Sequence, residues 1–326
     1  MTLLPKFDRI ASLTGCAITL LAITTRAQDY PNRPVRVVVP FSAGGPAEII
    51  ARVTTQKMTV EMRQPFVIDT RGGGGGTIGV DIVAKATPDG YTLLLHTIGH
   101  VIAPGLYRKL PYDAEKDFAP IAIANTTQLM LVVHPSMPVK TLQDLITLAR
   151  AKPGQLNFAS SGSGGISHLA AHLFQSMTQI EMIHVPYKGM APGLTDVVAG
   201  QVQMVFPDPA VALPHVRAGR LNALGTTGAK RVPSAPSIPT IAEAGVPGYE
   251  VPVWYGFLAP RGTPRAIIDK VHQGVVKAMA SKDLNERFTG EGGDATVRGP
   301  EAFAALIRSE LPKWAKVVKD SGVRID

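Results

Sequence analysis

Short apolar runs alternating with helix-length stretches set the tightest limit on how this chain can fold. Residues 35–40, 65–69 and 92–95 read as strands, with helical patterns at 47–61 and 78–86 after the first two. The rhythm restarts at 130–133. Strands at 157–159, 182–185 and 203–206 then alternate with helices at 141–151, 166–177 and 191–200. Such alternation predicts an α/β fold in two units, each a sheet flanked by helices. A proline-rich passage at 233–239 and an apolar segment at 251–258 precede three helical patterns at 264–280, 284–291 and 300–321. Those last helices are expected to complete the first unit. Lobe 1 would then comprise 28–126 plus 252–326, and lobe 2 would comprise 127–251. The chain would cross between lobes twice, and two crossings make a hinge around a cleft.

Composition removes several classes of function. With 45% hydrophobic and 18% charged side chains in 326 residues, there is apolar material for two ordinary cores. A net charge of +8 is small for this length, and no basic run exceeds two residues, so no nucleic-acid partner is expected. The single cysteine, Cys16, leaves no disulfide framework and no CxxC metal or redox site. Residues 1–27 read as a signal peptide: Lys6 and Arg9 precede an apolar stretch at 10–23, and Thr25, Arg26 and Ala27 place small residues at the two cleavage positions. The competing reading is a lipobox at Leu13, Thr14, Gly15 and Cys16, with Cys16 acylated. Both readings take the chain out of the cytoplasm. That setting argues against a nucleotide cofactor, and no cofactor of any kind is expected.

Glycine-rich turns mark where ligands could be held. Phe41, Ser42, Ala43, Gly44 and Gly45 lead into Pro46, a residue suited to the first position of a helix. Unpaired amides at such a helix start, together with the positive end of its dipole, favour an anion by ~0.3 to 1 kcal/mol per charge. Ser160, Ser161, Gly162, Ser163, Gly164 and Gly165 repeat the device in the second unit. Two opposed cradles suggest a ligand with two carboxylates; each taken alone could be an ordinary strand-to-helix turn. Gly74, Gly76 and Gly79 have dinucleotide-fingerprint spacing, yet no acidic residue follows at the ribose-binding distance.

Other chemistry has weaker support. His168 and His172 lie four apart on a predicted helix and could share a metal, although no acidic or cysteine ligand completes the set, so no metal is expected. No GxSxG elbow occurs, and the serine-rich turn has no assigned base. Lys188 reads as a cleft-edge charge, and Trp254, Tyr255 and Phe257 as strand-core packing rather than a stacking platform.

The stretches YPNRPVRVVVPFSAGGPAEIIAR, PDGYTLLL, LPYDAEKDFAPI, NFASSGSGGISHLAAHLF and HVPYKGMAPGLTDVVAGQVQM resemble the tripartite tricarboxylate transporter substrate-binding proteins, or Bug receptors. The resemblance implies a two-lobed periplasmic binding protein of type II, a Venus-flytrap that closes on a dicarboxylate, an aromatic acid or an acidic amino acid. It implies membrane transporter subunits as partners, a monomer, and no enzymatic chemistry. Carried onto this chain, the ligand-binding positions are Phe41, Ser42, Ala43, Gly44 and Gly45 on one side, with Ser160, Ser161, Gly162 and Gly164 on the other. Two departures stand out. Glu48 occupies a position where the family usually has Asp, and Pro207 then Asp208 replace the Asp of an MMFD-like strand, so Asp208 must supply that contact from a shifted backbone or the contact is absent. A ligand sensor signalling to a membrane protein and an exported hydrolase are the alternatives.

Overall fold

The computed structural model describes residues 30–41, 43, 45–187, 189–290 and 293–325. The expected signal peptide with Cys16, and Ser42, Gly44 and Lys188, lie outside the described residues. In chain order the elements are β1 (Val35–Val39), α1 (Pro46–Met62), β2 (Phe66–Thr70), α2 (Thr77–Ala84), β3 (Thr92–Thr97), α3 (Gly99–Leu106) and β4 (Phe118–Gln128). There follow β5 (Met130–Val133), α4 (Leu142–Ala151), β6 (Asn157–Ser160), α5 (Ile166–Thr178), β7 (Ile183–Pro186), α6 (Met190–Val198), β8 (Met204–Val205), α7 (Pro209–Arg217) and β9 (Asn222–Thr226). The chain ends with β10 (Pro252–Pro260), α8 (Arg265–Met279), α9 (Lys282–Gly290) and α10 (Pro300–Ser321).

Two five-stranded sheets result, in the orders β2-β1-β3-β10-β4 and β7-β6-β8-β5-β9. In the first, β1 runs parallel to β2 and β3, as the intervening helices require, and the late strand β10 inserts antiparallel between β3 and β4. In the second, β6 is parallel to β7 and β8, whereas β5 is antiparallel to β8 and β9. The chain leaves the first sheet after Gln128 and enters the second at Met130, then returns between Thr226 and Pro252. These outgoing and returning strands, β4 and β10, are hydrogen-bonded neighbours from Phe118↔Pro260 to Gln128↔Pro252, with register shifts between Tyr255 and Gly256 and between Phe257 and Leu258.

Local sequence explains the element ends. Val35, Val37, Val38 and Val39 are fully buried, the near-continuous apolar run of a strand covered on both faces. Thr141 and Asp144 form a reciprocal capping box at the start of α4, and Gly322, at φ 68°, ends α10. One apolar cluster fills both sides of the first sheet and continues through Leu131, Phe158 and Phe174 onto one face of the second. A smaller cluster around Met130, Val132 and Val205 covers the other face. The C-terminal helix α10 packs on α3 and also touches α5, so the two sheets share apolar contact on that side.

The segments 99–106, 118–128, 209–217 and 222–226, read from the sequence as loops or left unassigned, are α3, β4, α7 and β9. Pro120 lies in β4, an edge strand of its sheet, and edge strands are where a proline is tolerated. Gly105 sits where a Cβ would come within 3.2 Å of Val318, so the glycine in α3 allows the helix to approach α10. The three C-terminal helical patterns pack mainly on the first unit, α8 against α1 and β4 and α10 against α3 and β4.

Candidate functional site

The parallel strands of both sheets deliver their carboxyl ends to one cleft, the place where an open α/β sheet leaves a crevice. From the first sheet come the turns after β1, β2 and β3; from the second come those after β6 and β8. A cavity of about 450 Å³ is lined by Phe41, the glycine loop at 72–76, residues 97–99, Tyr107, and Ser161, Ser163 and Gly164 of the opposite lobe. A second cavity of about 200 Å³ lies between the starts of α1 and α7 and is lined by Ile49, Asn125, Asp208, Val211 and Tyr255 among others.

On the first-lobe side Phe41 is half-buried and its ring stacks on His96, with centroids 5.4 Å apart. His96 is 3% exposed and next to His100, so burial first and that neighbour second push its imidazole down to about 3. Ala43 is exposed and Gly45 half-buried at the mouth. Ile49 N donates to Gly45 O at 3.1 Å, whereas the amides of Ala47 and Glu48 have no acceptor among the described residues. The Glu48 carboxylate does not face the cleft: Arg52 Nε, one turn along α1, donates to its Oε1 at 2.7 Å. The glycine loop forms a 3-10 turn at Gly74–Gly76 clasped by Tyr107, whose hydroxyl donates to Gly74 O at 2.9 Å. A Cβ on Gly79 would stand 2.8 Å from that of Pro40, so this glycine serves helix-to-strand packing.

The second-lobe turn uses its amides differently from the sequence expectation. Ser161 N donates to Ser167 Oγ (3.0 Å), Gly162 N to Ser160 Oγ (3.1 Å), Gly164 N to His168 Nδ1 (3.1 Å) and Gly165 N to Gly162 O (3.2 Å). The turn is therefore braced by its own side chains. The amides of Ser163 and of Ile166, Ser167 and His168 at the start of α5 have no acceptor among the described residues. Ser161 and Gly164 line the larger cavity. Fully buried Ser160 stands behind it, and Gly162 is half-buried beside it.

Behind the turn lies a histidine stack that sequence spacing could not reveal. His168 and His184 are parallel at 3.7 Å, and Phe158 lies beside the pair, 5.0 Å from His184 and 6.0 Å from His168. Ser160 Oγ donates to Gly162 O at 3.1 Å and lies 2.6 Å from His184 Nε2, so the imidazole supplies the proton of that second bond. Burial and the adjacent His184 hold His168 down at about 4, and burial lowers His184. His172 instead faces the backbone of Asp320 on α10. The two histidines of the candidate metal pair thus diverge.

Asp208 precedes α7 and lines the smaller cavity, half-buried, and burial lifts its carboxyl to about 6. Pro207 O accepts from Met130 N at 2.9 Å, which fixes the backbone that presents it. Trp254 and Phe257 are core residues, Trp254 meeting Phe303 edge-on at 5.0 Å. Tyr255 between them lines the smaller cavity and is the strand partner of Asn125. Asn125, Tyr255 and His96 were not foreseen as site residues, since their positions depend on pairings far apart in sequence.

Known proteins share this arrangement. The chain is 39% identical over 319 residues, 97% of its length and 95% of the relative's, to a UPF0065 protein of the tcbD-tcbE intergenic region of a Pseudomonas species. It is 34% identical to the protein BugT of Bordetella pertussis, covering 98% of this chain and 99% of that one. Among solved structures, R. palustris Rpa4515 with adipate superposes with a TM-score of 0.80 at 37% identity, covering 91% of this chain and 99% of that one. MatC of Rhodopseudomonas palustris with bound malate gives 0.77 at 35%, covering 89% and 100%. The family model for the tripartite tricarboxylate transporter family receptor matches residues 50–323. With both sheets, the cleft between them and nearly the full length shared, the chain belongs to that family of periplasmic solute-binding receptors.

Proposed function

We propose that this receptor closes its two lobes, 28–126 plus 252–326 and 127–251, around one small carboxylate and presents it to membrane transporter subunits. The observation that carries the reading is the convergence, in one cleft, of strand-end turns from both sheets, with the helix starts after β1 and β6 carrying amides that have no acceptor among the described residues. Phe41, Ser42, Ala43, Gly44 and Gly45 form one cradle. Ser160, Ser161, Gly162 and Gly164 shape the other, where the amides of Ser163 and the first turn of α5 meet the anion. Asp208 faces the ligand from the smaller cavity. Malate and adipate, held by the two solved relatives, are ligands of this chemical class. Export by a signal peptide cleaved near Ala27 fits the family's periplasmic setting, and the receptor acts as a monomer.

Closure follows from differential affinity: a ligand touching both lobes stabilises the closed form only by the contacts the open form lacks. Binding rather than bond cleavage is the role inferred for the serine turn. Ser160 is fully buried with its hydroxyl engaged on Gly162, and the rings of Phe158 and His168 both pack against His184. A thermal-shift screen of dicarboxylates, aromatic acids and amino acids tests the reading. A true ligand at about 100 times its dissociation constant adds ~2.7 kcal/mol of stability. A flat screen, or turnover of the bound acid by the pure protein, overturns it.

A further inference from the structure

The smaller cavity carries a combination of groups that the amide cradles do not explain. Asn125 is 2% exposed, yet its Nδ2 has no hydrogen-bond partner among the described residues, and it lines this cavity. A buried donor left unsatisfied is costly, so its presence points to an acceptor brought from outside. Tyr255 stands directly across the strand pair from Asn125, and the register shift beside it sets the two at the floor of the cavity. Burial, and secondarily the charge of nearby Asp208, raise the Tyr255 phenol, so its hydroxyl stays protonated.

The walls are of opposite character to the floor. Ile49 on α1 is 37% exposed and Val211 on α7 is 45% exposed, and they line this same cavity from opposite lobes. Phe288 of α9 adds a buried aromatic surface. Two large apolar side chains facing each other across a cleft call for an apolar body between them. The volume of about 200 Å³ suits one substituted six-membered ring, since a cavity of roughly 150 Å³ accommodates benzene.

We infer that the smaller cavity seats the body of the ligand, and that the ligand is an aromatic carboxylic acid with a hydroxyl group at the end remote from the carboxylate. The hydroxyl oxygen accepts from Asn125 Nδ2 and its hydrogen goes to Asp208. Arg287 lines the cavity as well as Asp208, so charge alone does not exclude an acyclic dicarboxylate, but such a ligand would leave Ile49 and Val211 uncovered. A cationic amine would satisfy Asp208 but could not accept from Asn125. This assignment rests on the receptor reading above.

Calorimetric titration of the full mature chain with para-hydroxybenzoate, benzoate, para-aminomethylbenzoate and adipate tests it. Para-hydroxybenzoate is expected to bind at least tenfold more tightly than any of the other three. Asn125→Leu should bring para-hydroxybenzoate down to the level of benzoate while leaving benzoate within about twofold. Val211→Ala, on the surface and harmless to folding, should weaken both aromatic acids severalfold and leave adipate unmoved. Equal or tighter binding of adipate or the amine, or a hydroxyl preference that survives in Asn125→Leu, overturns the assignment while leaving a carboxylate receptor intact. Failure of all four acids together with a flat wider screen overturns the receptor reading itself.

Discussion

Asp208 and the buried histidines tilt the stability of this molecule in opposite directions along the pH axis. Asp208 titrates near 3.8 when unfolded and near 6 when folded. Its folded form holds the extra proton between those values, so its burial costs stability as pH rises through that window, fully so above 6. His168, His96 and His100 are held below their ordinary 6.5, at about 4, 3 and 4. Their contribution is present above 6.5 and is lost as pH falls toward 4. Asp208→Asn should therefore stabilise the unliganded protein at pH 7 by on the order of 1–2 kcal/mol, with the gain vanishing near pH 4. Denaturant melts at several pH values check this; a gain independent of pH would show that the carboxyl is not desolvated. At this scale the sequence was half legible. Asp208 could be singled out because Pro207 displaces the family carboxylate by one position. Asn125 and Tyr255 could not, because what makes them a pair is a cross-strand register between residues 130 positions apart.

Among the elements, the turn between β6 and α5 is the point where the second lobe leans on the first. Gly164 has φ 75°, and a Cβ there would stand 3.0 to 3.2 Å from Leu106 and Ile325. Gly164→Ala should cost ~1–2 kcal/mol of stability for the left-handed backbone and, by wedging the lobes apart, weaken carboxylate binding tenfold or more. Gly154→Ala is the control: its φ is 64°, nothing lies within 4 Å, and it should lose similar stability with affinity unchanged. Equal affinities for the two variants would remove the turn from the closing surface. Strands such as β1 and helices such as α4 were legible because valine runs and capping boxes act locally. The elements α3, β4 and α7 were not, since each carries a proline that reads as a break. Tertiary packing and an edge position tolerate those prolines. The anion cradle after β6 was visible as glycine and serine. That its amides are tied back by Ser160, Ser167 and His168 depends on side-chain geometry the sequence does not display.

For the whole molecule, two lobes with two crossings could be read from the restart of the strand-helix rhythm, whereas the side-by-side pairing of β4 and β10 at those crossings could not. Its consequence concerns the order in which the molecule can be assembled. Strands β5 to β9 all come from residues 130–226, so the second sheet is complete once that stretch exists. The first sheet is not, because β10, residues 252–260, is the wedge between β3 and β4. Pulse-labelled hydrogen exchange during refolding should find amides of β5, β6 and β9 protected before those of β3 and β4; simultaneous protection would contradict this order. A polypeptide halted before residue 252 would carry a finished inner lobe beside two raw strand edges, an invitation to intermolecular pairing that the last quarter of the chain withdraws.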